Sequence, residues 1–282
     1  MREAGFAARA RERERVRSTL PRRWRTLGAV TQALPSLKHP PIVEVVCGFF
    51  FEAMPGIDPM LVGEFGAGKK SIYTTHALKP PVSEVAGLLV SEGVGPLRCW
   101  LVSAGGEFVV QIQPDRFYFN WRRRGDVYPR FGTHEGKAGV LQRALDEFAE
   151  FTTFCDRELG VRPTVNQVEL AKIDDVVFDT LETLSADLPL VAAIKPWTRS
   201  GAPEIHVKLA DQIGDVDVVV TLSNTHVTTD LQSAVRVETR ATRQVGAADP
   251  KAVFESLNQA VNDLFRNLFS DIAIARFRGD AP

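Results

Sequence analysis

Val110-Gln111-Ile112-Gln113-Pro114-Asp115-Arg116-Phe117-Tyr118-Phe119-Asn120-Trp121-Arg122 reads as two β-strands on either side of a Pro114-Asp115 turn, because β-forming residues flank a pair that favours chain reversal. Strand alternation in the second segment puts Phe117, Phe119 and Trp121 on one face and Arg116, Tyr118, Asn120 and Arg122 on the other. The first set is candidate core. The second set is the candidate site, extended by Arg123, Arg124 and, beyond Tyr128-Pro129, Arg130. Guanidinium forks suit phosphate or carboxylate, and aromatics beside arginines can stack on single-stranded nucleic acid. A core-facing strand with a solvated outer face gives the same pattern, and the glycine spacing of an RNA-recognition sheet is missing.

Strands are also expected at 42–51, 72–78, 97–103 and 107–112. A helix follows from Gly139 to Leu159, where Leu141, Leu145, Phe148, Phe151, Cys155 and Leu159 recur at helical spacing and Gly160 stops the run. From Val165 the order recurs: a strand at 168–173, a mixed region reaching Pro203, and strands at 204–210, 215–223, 225–230 and 233–243, with Ser223-Asn224 as a turn. A helix begins at Asp249-Pro250, and its buried stripe is Phe254, Leu257, Val261, Leu264, Leu268 and Ile272. The fold class is therefore α+β, with two related units, each a curled antiparallel sheet with a long closing helix. The units are 37–162 and 163–282, preceded by an arm at 1–36.

Charge is distributed unevenly. Residues 1–25 hold nine arginines against three glutamates, whereas the whole chain of 282 residues has a net charge of −1, so the body is acidic. Lacking a helical apolar stripe, the arm is expected to be mobile, and it offers nucleic acid a second point of attachment. Three scattered cysteines argue against a disulfide framework and for reduced thiols in a cytoplasmic protein. No apolar run approaches the roughly 18 residues of a membrane span.

Local motifs for chemistry fail. Gly63-Glu64-Phe65-Gly66-Ala67-Gly68-Lys69-Lys70-Ser71 has a lysine where a phosphate-binding loop needs Ser or Thr, and β-forming residues follow it. The five histidines lack ligand spacing, and Asp174-Asp175 and Asp211, Asp215 and Asp217 read as turn-capping carboxylates. No catalytic residue, metal or cofactor is assigned. Ionisable groups are expected to serve solubility and contact, without converging on one hollow, although an apolar groove between sheet and helix could accept a small ligand.

Three blocks carry a resemblance: Leu37-Lys38-His39-Pro40-Pro41-Ile42-Val43-Glu44-Val45-Val46, the 110–123 segment with Tyr128-Pro129-Arg130-Phe131, and the helix from Leu257 to Phe269. Over about residues 37–275 the chain resembles a sporadically distributed family of uncharacterised bacterial proteins. These share a Pro-Pro-Ile-x-Glu opening and an Asp-Arg-Phe-x-x-Asn-Trp-Arg … Tyr-Pro-Arg middle. The resemblance transfers no catalytic residue. Patchy distribution of that kind accompanies phage-defence or toxin–antitoxin-type loci; with no convergent ionisable cluster in the sequence, the chain is expected to be a non-enzymatic binding or scaffold protein recognising a macromolecular partner encoded nearby. The alternative is a nucleic-acid-associated or nuclease-like protein using the arginine patch. One departure stands out: Val168-Glu169-Leu170-Ala171-Lys172-Ile173-Asp174 occupies the place where that family leads one to expect an aromatic followed by Ile-Asn, so a polar contact between the halves is expected to differ there.

Overall fold

A computed structural model describes residues 37–80, 98–125, 128–194, 205–227 and 232–280. The expected basic arm at 1–36 lies outside the described residues. The strands are β1 (Ile42–Phe51), β2 (Tyr73–Lys79), β3 (Arg98–Ser103), β4 (Phe108–Gln113), β5 (Arg116–Arg122), β6 (Val165–Val177), β7 (His206–Ile213), β8 (Val216–Val227) and β9 (Gln232–Gln244). They form one antiparallel sheet in the order β2-β3-β4-β5-β1-β6-β9-β8-β7. β1 and β6 pair at its centre, with Val46 opposite Ala171 and Gly48 opposite Glu169. Gly48 is required by packing, since a Cβ there would stand 2.6 Å from the Tyr118 ring.

The helices are α1 (Pro59–Gly68), α2 (Val140–Leu159), α3 (Leu181–Asp187), α4 (Pro189–Ile194), α5 (Pro250–Leu268) and α6 (Asp271–Arg278). They pack on one face of the sheet. Val45, Cys47 and Phe49 of β1, Phe117, Phe119 and Trp121 of β5, and Val168 and Leu170 of β6 share a core with Phe151 of α2 and Phe254, Leu257 and Val261 of α5. Phe49 joins both long helices, stacking on Phe148 at 4.3 Å and meeting Phe254 edge-on at 5.1 Å. A second cluster gathers Leu222, Val235 and Val237 under α3, α4 and α6. This is the layered solution expected when amphipathic helices cover one side of an antiparallel sheet.

Several expectations change in detail. β8 runs straight through Ser223-Asn224, because Ser223 and Asn224 pair with Arg236 and Val235 of β9 instead of reversing the chain. The final stripe ends at Leu268. Phe269 breaks the helix in an extended conformation, Ser270 caps α6, and Ile272 is 70% exposed. The short helix expected from the Asp58-Pro59 cap is present as α1 and extends through the glycine-rich segment to Gly68, Asp58 accepting hydrogen bonds from the Met60 and Leu61 amides, each at 2.9 Å. Lys69 is buried at its end, donates to Glu147 of α2 and pairs with Glu150 at 2.8 Å. Asp174 and Asp175 lie within β6, not in a turn. Among the described residues no helix is long and apolar enough to cross a membrane.

Candidate functional site

The structure divides the seven sequence-predicted site residues between two faces of the sheet. Arg116, Tyr118, Asn120 and Arg122 project from β5 to the side opposite the helices, and their partners are internal. Arg98 donates to Gln111 Oε1 at 2.9 Å, Gln111 to Asn120 Oδ1 at 2.8 Å, and Asn120 to Glu44 Oε1 at 2.5 Å, where Arg122 also donates at 3.1 Å. A single hydrogen-bonded chain thus crosses four strands and satisfies the buried amides of Gln111 and Asn120. Arg122 also lies over the Trp100 ring at 4.9 Å. Arg116 forms a two-pronged pair with Asp115, at 3.0 and 2.7 Å, and covers Phe50. Tyr118 is buried, and burial raises its phenol to about 12. Arg123 donates to the Pro40 and Gly125 carbonyls and Arg124 to that of Gly106.

Arg130 belongs elsewhere. It lines a cavity of about 440 Å³ on the helix-covered side, between Pro40–Ile42, the 128–134 loop, β6, β9 and α5. That volume lies within the range of roughly 300–1,000 Å³ usual for small-molecule sites. A register shift between Ile42 and Glu44 carries the start of β1 to the rim beside Asp174. The loop is held by its carbonyls, because Arg130 and Phe131 accept from the Val140 and Leu141 amides at the start of α2, each at 3.0 Å. Tyr128 packs on Trp121 at 5.1 Å. Arg130 has φ +63°, a left-handed conformation that a non-glycine residue adopts at a cost, and such strain gathers at ligand sites.

The chemistry sits on one stretch of β6. Lys172 and Asp174 are two residues apart on the helix-facing side, so both reach the cavity. Lys172 Nζ donates to Asn258 Oδ1 and Asn262 Oδ1 of α5, each at 2.7 Å, and lies 5.6 Å from the centre of the Phe131 ring. The two asparagines are one helical turn apart, which is why one ammonium reaches both. Burial lowers the lysine to about 8, against the opposing pull of Asp174. Asp174 is only 4% exposed, and its carboxylate accepts no hydrogen bond from the described residues. Burial raises it to about 7, Lys172 opposes the shift, and Asp175 adds to it. Thr239, Tyr128 and His134 complete the polar lining, and Val261 and Phe265 the apolar wall.

Lys172, Asp174, Asn258 and Asn262 were missed as site residues because no local motif joins them: they come from a strand and a helix about 90 positions apart. The departure noted at Lys172-Ile173-Asp174 was the available signal. Among the described residues no group of three or more His, Cys, Asp or Glu is placed to hold a metal ion. Fold and site together define an α+β protein with a one-sided helical layer and a ligand-sized, polar-floored cavity beneath α5. Comparison of the chain with protein-family models, with curated proteins and with solved structures returns no match.

Proposed function

We propose that this is a binding protein whose ligand is a small polar molecule held in the cavity between β6, the 128–134 loop and α5. One observation carries the reading: a nearly buried carboxylate, without a hydrogen bond among the described residues, faces a space of ligand size beside an ammonium already fixed by two amides. Leaving such a group unpaired costs about 1–3 kcal/mol, a cost that a ligand supplying donors removes. In this reading the expected macromolecular partner responds to the occupied state. The two halves are copies of one unit. Reading outward from the β1–β6 pair, each half joins its first strand to its last, continues as a meander and closes with a long helix on the same face.

The test is a thermal-shift screen of polar metabolites against the wild-type protein and Thr133→Trp, a substitution at an exposed position on the cavity wall. Compounds that stabilise the wild type and not the variant support the reading. A library whose hits act equally on both proteins contradicts it.

A further inference from the structure

The cavity's polar groups also define what they can recognise; the inference rests on the cavity being a ligand site. We infer that the occupant is a neutral planar heterocycle presenting two adjacent N–H donors beside a carbonyl, the edge of a 2-amino-4-oxopyrimidine ring as found in guanine-type purines and pterins, read by Asp174 and Lys172.

An ionised carboxylate only accepts hydrogen bonds and an ammonium only donates them. They project from the same side of β6, from Cα positions about 7 Å apart, and line the same cavity, so they present two acceptors next to a donor. The complementary edge is two donors next to an acceptor. Opposite charges on the two groups favour a ligand with a local dipole over one with a net charge, since a carboxylate ligand would face Asp174 and an amine would face Lys172.

The α5 wall extends the argument. Both asparagines turn their carbonyl oxygens to Lys172, which can only donate, so their amide nitrogens remain as donors with no hydrogen bond to described residues. Two of the three ammonium hydrogens are taken, and one is left for a ligand carbonyl. The amide nitrogens suit the further ring acceptors of such a heterocycle. Tyr128, Phe131 and Phe265 supply flat apolar walls, and about 440 Å³ accommodates the ring with a sugar or short side chain. Adenine offers one donor beside an acceptor and leaves an oxygen of Asp174 unpaired.

Calorimetric titration at pH 7.5 with guanosine, pterin, inosine, adenosine and xanthosine tests this. Guanosine or pterin is expected to bind one per chain, and which of the two binds more tightly separates the nucleoside from the pterin source. Inosine, lacking the 2-amino donor, is expected to bind about tenfold more weakly than guanosine, the value of one hydrogen bond to a charged group. Adenosine is expected to be weaker still. Asp174→Asn keeps the shape but replaces one acceptor by a donor. It is expected to lose guanosine affinity at least tenfold and to gain xanthosine, with unfolding cooperativity confirming an intact fold. Equal affinity for guanosine, inosine and adenosine overturns the inference, as does guanosine binding unchanged in Asp174→Asn. If none of the five binds while the metabolite screen yields a ligand blocked by Thr133→Trp, the edge assignment falls and the cavity reading stands. If neither experiment yields a ligand, both fall.

Discussion

Replacing Asp174 by asparagine should make the free protein more stable, and by an amount that depends on pH. The carboxyl is held near 7 in the folded chain against 3.8 for the free side chain, because burial disfavours its charge. At about 1.4 kcal/mol per unit the full cost of ionising it in place is about 4 kcal/mol. That value already contains the opposing attraction of Lys172, so the expected gain of the variant above pH 7 is of the same order, about 3–4 kcal/mol. The sign follows from proton binding. Between about pH 4 and 7 the folded protein holds the Asp174 proton and the unfolded chain releases it, so this group's contribution falls as pH rises and is at its most unfavourable above 7. The other titratable groups around Asp174 are Asp175 on its own strand and Tyr128, Arg130 and His134 of the loop. Urea unfolding at pH 4.5 and pH 8 measures the effect. The variant should exceed the wild type by only about 1 kcal/mol at pH 4.5, where the folded carboxyl keeps its proton and most unfolded chains have released theirs, and at pH 8 by a midpoint shift of roughly 1 M. A difference independent of pH, or a loss of stability at pH 8, would refute the assignment of an unpaired buried carboxylate.

Glu44→Ala removes the acceptor shared by Asn120 and Arg122 and leaves a buried amide unpaired; a loss of about 1–3 kcal/mol in urea unfolding is expected, and Glu44→Gln should recover part of it. Gly139→Ala puts a Cβ 2.2 Å from the Gly132 carbonyl and 2.5 Å from that of Phe131, so the loop–α2 junction must open; a loss above roughly 3 kcal/mol is expected, together with weaker binding of any cavity ligand. Converting Arg122, Arg123 and Arg124 to Ala should leave affinity for labelled single-stranded DNA and its salt dependence as in the wild type, because these guanidiniums already serve Glu44 and backbone carbonyls. A steep loss in that assay would restore the nucleic-acid reading. Cys47, Cys99 and Cys155 are buried, and burial pushes all three thiols up, Cys155 to about 11. Titration with a disulfide reagent should therefore register no fast thiol in the native protein and three after denaturation.

Alternation made the sheet legible. Phe117, Phe119 and Trp121 lie in the core as their spacing requires, and Gly160 marks the stop of α2 and Asp249-Pro250 the start of α5 because a left-handed glycine and a capping aspartate act within one turn. What failed was non-local. Ser223-Asn224 looks like a turn in isolation, yet pairing with β9 overrides that preference. For the candidate site on β5, alternation gives the outward row, but nothing in the order of residues announces that Glu44 lies beside Asn120 and Arg122. The cavity was half visible. Tyr128-Pro129-Arg130-Phe131 was singled out as a motif, but its meeting with Lys172, Asp174, Asn258 and Asn262 depends on the β1–β6 pairing and on α5 crossing that pair.

The account stands on the cavity floor at Lys172 and Asp174 being a place where a ligand binds. A crystal of the full chain soaked with guanosine or pterin at saturating concentration addresses this directly. Planar density against Phe131, with two ring nitrogens within hydrogen-bond distance of the Asp174 carboxylate, is the predicted result. Density for the compound only outside the cavity, or an Asp174 side chain turned away to a protein donor, would contradict it.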